Sequence, residues 1–192
     1  MVSFSAAIGP DCSTLELRRL RHPSSLATLD AMYEIHPASL RDIPALIGLM
    51  AEFYAESGFP LPEANARAAF TRLLSDPGLG GAWIARDADE PVGHVVLTVC
   101  FSMEYGASRG FVDDLFVRPS ARGRGIAGAL IDAVVADCSA RDVRALLVEV
   151  GPDNESGRRV YEKAGLVDTK HLLLARPLEP PLHVSASELK GL

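Results

Sequence analysis

The segment from Phe111 to Gly128 constrains this chain most. Phe111-Val-Asp-Asp-Leu-Phe-Val117 has the composition of a strand, Arg118 to Gly125 is dense in arginine and glycine, and an apolar helical repeat opens at Ile126. A strand running through such a loop into a helix is an anion cradle by construction. Gly123 and Gly125 let backbone N–H groups come close to a ligand, and the helix start adds positive potential. Arg118, Arg122 and Arg124 bring charge with no acidic residue among them. A diphosphate suits that chemistry; the plainer alternative is a connector whose arginines are only solvated.

Two ligand classes compete for the cradle. Gly123-Arg-Gly125-Ile-Ala-Gly128 also satisfies G-x-G-x-x-G, with Glu149 about twenty residues further on, which is the dinucleotide pattern. In that fold, however, the first glycine follows the strand directly, whereas Arg118 to Arg122 intervene here. Antiparallel strands are expected before the loop, and 64 residues after Gly128 are too few for two nucleotide-binding halves and a substrate domain. A dinucleotide is the weaker reading.

Around this segment the chain reads as one mixed α/β domain, a mostly antiparallel sheet flanked by helices. Residues 1–32 lack sustained periodicity and are set apart as an N-terminal extension, 33–176 form the domain, and 177–192 are a proline-containing tail. Met32, at the first junction, is a candidate natural start. A strand is expected at 33–35. Ser39 and Asp42 have capping-box spacing ahead of Ile43, Leu46, Ile47, Met50 and Phe53, which mark a helix. A second helix is predicted at 64–74, strands at 82–85, 92–103 and 111–117, and a helix at 125–140. A buried strand at 143–150, a helix at 154–164 closed by Gly165, and a last strand at 171–176 complete the series.

Composition narrows the function. With 19 Lys+Arg against 25 Asp+Glu, the formal net charge of -6 disfavours nucleic acid and anionic membranes and favours cationic partners. No run approaches a membrane span, and Asp11 and Glu16 spoil the acid-poor composition of a transit peptide. Cys12, Cys100 and Cys138 are too far apart for a zinc spacing and odd in number, which fits a reducing cytoplasm. The five histidines lack H-E-x-x-H spacing, so no metal is expected.

Arg122-Gly-Arg-Gly125-Ile-Ala127 resembles the R/Q-x-x-G-x-G/A loop of the GCN5-related N-acetyltransferase (GNAT) superfamily. A second signature is similar too: Asn154-Glu-Ser-Gly-Arg-Arg-Val-Tyr161-Glu-Lys-Ala-Gly165-Leu166, with Gly157 where a small Ala is common and Leu166 for a frequent Phe. The resemblance covers about residues 33–176 and implies the acyl-CoA N-acyltransferase fold with acetyl-CoA as donor. It implies that the backbone of Leu115, Phe116 and Val117 pairs with the pantetheine arm. Arg122, Gly123, Arg124, Gly125, Ile126, Ala127 and Gly128 would hold the pyrophosphate, and Asn154, with Ser156 beside it, the pantetheine region.

The resemblance makes Tyr161 the general acid and a donor-site residue; a phenol of pKa about 10 can protonate a thiolate whose conjugate acid lies near 8.5, placement counting for more than driving force. An amine acceptor must lose a proton before attack. Strand alternation puts Asp113 on the face of Leu115 and Val117 and Asp114 on the other. The run Phe-Val-Asp-Asp-Leu-Phe-Val resembles the equivalent strand of diamine acetyltransferases, which makes Asp113 the residue that binds the amine or deprotonates it through water. Glu104 and Tyr105, before that strand, and Tyr54, with Glu52 and Glu56 at the end of the first helix, are further acceptor candidates; each set also reads as ordinary polar surface. Glu149 reads more as a strand-end partner than a catalytic group, and Arg158, Arg159 and Lys163 as a solvated face.

These expectations add up to a cytoplasmic N-acetyltransferase acting by direct attack on a small cationic amine, such as a diamine, polyamine or aminoglycoside. Acetylation of a protein lysine or N-terminus, and a non-catalytic CoA-binding module, stay open. So does a homodimer.

Overall fold

The computed structural model describes residues 33–174, 176 and 178; the expected N-terminal extension and nearly all of the expected tail lie outside them. The chain runs β1 (Tyr33–Pro37), α1 (Ile43–Glu56), α2 (Glu63–Ser75), β2 (Gly80–Asp87), β3 (Glu90–Ser102), β4 (Ala107–Val117), α3 (Ile126–Ala140), β5 (Val143–Val148) and α4 (Glu155–Lys163). The strands form one sheet in the order β1-β2-β3-β4-β5. Pairing is antiparallel as far as β4 and parallel between β4 and β5, which α3 connects. This is the mixed, mostly antiparallel architecture expected.

Local chemistry explains the helix starts. Ser39 caps a short 3₁₀ turn, Leu40–Asp42: its hydroxyl accepts from Arg41 N–H at 3.3 Å while Asp42 accepts from Ser39 N–H at 2.9 Å. That reciprocal pair leads the chain into α1, whose first turn takes Pro44 without loss because N–H groups there have no partner in the helix. At the far end of the domain Gly165, at φ +89°, closes α4 in the left-handed conformation anticipated for it.

Two cores lie on opposite faces of the sheet. On one, Ile43, Leu46, Ile47 and Met50 of α1 and Ala66 and Phe70 of α2 cover Ala82, Ile84 and Val96. On the other, Ile126, Leu130, Ile131, Val134 and Cys138 of α3 cover Trp83, Ala85, Val95, Leu97, Val112 and Val117, with Val160, Tyr161 and Ala164 of α4 alongside. A fully buried Leu or Ile contributes roughly 1.5–3 kcal/mol, so these faces hold both helical layers to the sheet.

Three expectations need correction. β4 starts at Ala107, four residues before the expected Phe111, because Ala107 to Gly110 pair with Val99 to Ser102 in the hairpin. β5 stops at Val148 and is half-buried rather than buried, since it is the outermost strand among the described residues. His171 to Leu174 form no strand: they meet no partner strand among the described residues, and Leu172, Leu173 and Leu174 are exposed.

Candidate active site

The site forms where β4 loses a neighbour. β5 pairs with Ser108 and with Gly110 to Val112, and the pairing ends at Val112 opposite Val148. From Asp113 onward β4 keeps only β3 beside it among the described residues. The wedge between the diverging strands opens into a cavity of about 650 Å³, walled by Leu115, Phe116 and Val117 on one side and by Asn154, Ser156, Val160 and Tyr161 on the other. An edge with free peptide groups invites an extended ligand to pair along it. One of those groups is already used: Arg122 Nε donates to the Val117 carbonyl at 2.8 Å.

Gly123, Gly125, Ile126, Ala127 and Gly128 close one end of the cavity. Gly123 and Gly125 have φ of +79° and +82°, and a Cβ placed on Gly123 or Gly128 would meet nothing within 4 Å. The loop and the first turn of α3 thus present a bare backbone surface to the cavity, beside the unpaired N–H groups of a helix start. A diphosphate fits this surface. The arginines correct the sequence reading, for each has found a carboxylate. Arg118 pairs with Glu52 at 2.7 Å and Glu90 at 2.6 Å, Arg122 with Glu56 at 2.8 Å, and Arg124 with Asp87 at 2.6 Å.

The two aspartates sit on a β-bulge, which alternation could not foresee. Val96 opposes Asp114 and the next residue, Leu97, opposes Val112, so Asp113 has no partner on β3. Val112 therefore packs on the same face as Leu115 and Val117. Both carboxylates belong to the opposite, α1 side: Asp113 bonds with Thr98, and the charges of both raise the pKa of Tyr54. The expectation that Asp113 and Asp114 point to different faces is corrected accordingly.

Their environments differ even so. Asp114 is 8% exposed, and burial, followed by the charge of Asp113, pushes its pKa up to about 6. Asp113 is exposed; partial burial raises its pKa, the Thr98 hydrogen bond opposes this, and the charge of Glu149 adds to it. Burial and the charge of Asp114 push Tyr161 up to about 12. Tyr54 is also pushed to about 12, by burial, Asp114 and Asp113 in that order. Tyr54, Tyr161 and Asp113 thus share one electrostatic neighbourhood centred on Asp114.

The Acetyltransferase (GNAT) family model matches residues 43–166. The chain belongs to the GNAT acetyltransferase family. Among solved structures it is similar to the integron cassette protein HFX_CASS3 from the mobile metagenome of Cole Harbour Salt Marsh, at 46% identity and a TM-score of 0.73 over 78% of this chain and 93% of that one. It is also similar to the ribosomal-protein-alanine N-acetyltransferase of Brucella melitensis biovar Abortus 2308, at 27% identity and a TM-score of 0.61 over 75% and 98%. The aminoglycoside N-acetyltransferase AAC(6')-Iy in complex with CoA shares the fold at 20% identity and a TM-score of 0.66 over 76% and 95%. No curated protein matches the chain.

Within this GNAT domain the remaining candidates separate. Asn154 Oδ1 accepts from Gly157 N–H at 2.8 Å and from Ser156 Oγ at 3.1 Å, so its oxygen caps α4. A Cβ on Gly157 would come within 3.0 Å of that carboxamide, which is why the position is bare. Glu104 and Tyr105 are not brought to the site. Because β4 starts early, they sit at its far end, about 20 Å of strand from Asp113. Glu52 is tied to Arg118 and does not line the cavity. Sequence reasoning gave Asp114 no role, and its signal was present: two adjacent carboxylates in an apolar strand require either opposite faces or a bulge. Among the described residues no group of three or more His, Cys, Asp or Glu is placed to hold a metal ion, and no helix is long and apolar enough to cross a membrane.

Proposed function

We propose that this GNAT protein moves an acetyl group from acetyl-CoA to a primary amine of a small cationic acceptor, the amine attacking the thioester directly. The observation that carries the reading is the Asp113–Asp114 pair, set on a bulge where the donor cleft begins and faced by Tyr54. Asp113, solvent-accessible, attracts and orients the ammonium. Asp114, with a pKa near 6, is ionised at neutral pH yet far more basic than an ordinary carboxylate, and takes the proton directly or through water. The amine nitrogen then bonds to the acetyl carbon and the carbon–sulfur bond breaks.

Tyr161 serves the departing sulfur. At a pKa near 12 it stays protonated, but full transfer to a thiolate with a conjugate acid near 8.5 is uphill by roughly 3 to 4 pK units. Its role is therefore to hydrogen-bond the developing thiolate, with the proton passing only as charge builds. The Gly123–Gly128 backbone holds the diphosphate of the donor. Likeness to the aminoglycoside enzyme is consistent with a cationic acceptor.

A second reading is favoured by the 27% identity to a ribosomal-protein-alanine N-acetyltransferase: the acceptor is a protein N-terminus. Thermal unfolding with acetyl-CoA, and separately with NADH, tests the donor first; a ligand at 100 times its Kd stabilises by about 2.7 kcal/mol. Thiol release is then followed with diamines, polyamines, aminoglycosides and alanine-initiated peptides. Turnover with free amines supports the proposal, and turnover with peptides alone replaces it by the second reading. Asp114→Asn is expected to lower kcat/KM about 10²–10⁴-fold and to remove the rise in rate through pH 6, whereas Asp113→Asn mainly raises KM.

A further inference from the structure

Two ion pairs fasten the end of α1 to the loop between β4 and α3, and they differ. Glu52 and Glu56 lie one helical turn apart, facing Arg118 and Arg122, which are likewise four residues apart. Glu52 grips Arg118 with both oxygens, Oε2 at 2.9 Å from Nε and Oε1 at 2.7 Å from Nη2, and Glu90 accepts from Nη1 at 2.6 Å. Neither Glu52 nor Arg118 lines the cavity. Glu56 and Arg122 both do, in company with Gly123, Gly125 and Gly128. Both Glu56 oxygens accept from a single nitrogen, Arg122 Nη2, at 2.8 Å, while Nε stays anchored on the Val117 carbonyl.

We infer that Glu56 is an internal anion occupying, on Arg122, the place of the donor's diphosphate, and that donor binding displaces it. The inference rests on the acetyl-CoA reading. The Arg122 guanidinium is fixed at its Nε and lies 5.8 Å from the centre of the Phe116 ring, so it is already aimed at the cavity without the carboxylate. The pair is about half exposed, with side chains 50% and 43% accessible, and such pairs hold little stability. Its loss is therefore cheap when a stronger anion arrives. Glu56 is the last residue of α1, so a change of side-chain rotamer frees Arg122 without moving the helix. A diphosphate held by the Gly123–Gly128 backbone would otherwise share the cavity with a like charge. Glu56 thereby sets the donor affinity below what the cradle alone would give.

Calorimetric titration of the full chain with CoA, and with acetyl-pantetheine, which lacks the diphosphate, tests this. Glu56→Gln is expected to bind CoA about three- to tenfold more tightly and acetyl-pantetheine as the unsubstituted protein does. Glu52→Gln is expected to lower the melting temperature without tightening CoA. Equal or weaker CoA binding by Glu56→Gln, or an equal gain for acetyl-pantetheine, overturns the inference. Failure of the unsubstituted protein to bind CoA would remove the donor reading as well, which separates the two results.

Discussion

β4 has two neighbours and treats them differently. Toward β3 it is paired along its whole length, from Ala107 opposite Ser102 to Val117 opposite Gly93, broken only by the bulge at Asp113. Toward β5 it is paired from Ser108 to Val112, and beyond that point no described strand lies along this edge. The fully paired side carries much of both cores, whereas the half-paired side faces the cavity, the glycine loop and the signature helix. One strand thus serves as scaffold along one edge and as a ligand-binding edge along the other. The lesson is that the site lies where hydrogen bonding stops, and substitutions should separate the two edges cleanly.

The largest separation is expected at Tyr161, on the open side. Tyr161→Phe keeps the ring that packs against the α3-side core and removes only the hydroxyl. Steady-state kinetics should show kcat lower by about 10²–10⁴-fold, or roughly 3–5 kcal/mol, with CoA affinity changed by less than about twofold. An unchanged kcat would take Tyr161 out of the chemistry.

Next come two glycines, one on the open side of β4 and one in its paired stretch. Gly128 borders the cavity, where a Cβ meets nothing within 4 Å. Gly128→Phe should therefore fill the donor site and weaken CoA about 100-fold, near 2.7 kcal/mol, while α3, gaining a better helix former, melts no lower. Gly110 lies where β4 is paired on both sides; a Cβ there would stand 2.8 Å from Leu97 Cδ1, 3.2 Å from Leu146 Cδ1 and 3.3 Å from Cys138 Sγ. Gly110→Ala should cost about 1–2 kcal/mol of stability, read as a fall of a few degrees in Tm, and leave CoA affinity alone. Loss of CoA binding in Gly110→Ala would mean that the two edges are coupled.

Most of the scaffold was legible because apolar period and local chemistry report on neighbours in sequence. The Ile43–Met50 stripe, the Ser39–Asp42 box and the Gly165 stop all act within a few residues, and the elements they delimit lie within a few residues of expectation. The glycine loop and the Asn154–Tyr161 helix were legible for the same reason. What was missed depends on long-range partners. The ion pairs of Arg118 with Glu52, Arg122 with Glu56 and Arg124 with Asp87 join residues 66, 66 and 37 positions apart, which no local pattern encodes. The bulge at Asp113 belongs to the register between two strands, and the early start of β4, which carries Glu104 away from the site, is set by its hairpin partner.

The smallest predicted effect sets one group on each edge against the other through pH. His94 lies in the paired half, fully buried against Phe116, with neither ring nitrogen partnered among the described residues, and burial lowers its pKa to about 4. The unfolded chain, with a value near 6.5, takes up the proton first as pH falls, so His94 destabilises the fold from about pH 6.5 down to 4. Asp114, at the opening, has the opposite sign. Its folded value of about 6 lies above the ordinary 3.8, so its contribution is present at low pH and is lost as pH rises from about 4 through 6. Each group spans about 3 kcal/mol, and over that window the two nearly cancel. Urea unfolding at several pH values between 4.5 and 6 should therefore give Asp114→Asn a slope more positive than the unsubstituted protein, by roughly 1 kcal/mol per pH unit, and His94→Leu one more negative by about as much. Parallel slopes in all three proteins would show that neither buried group titrates as its surroundings dictate, and would remove the basis for assigning the proton to Asp114.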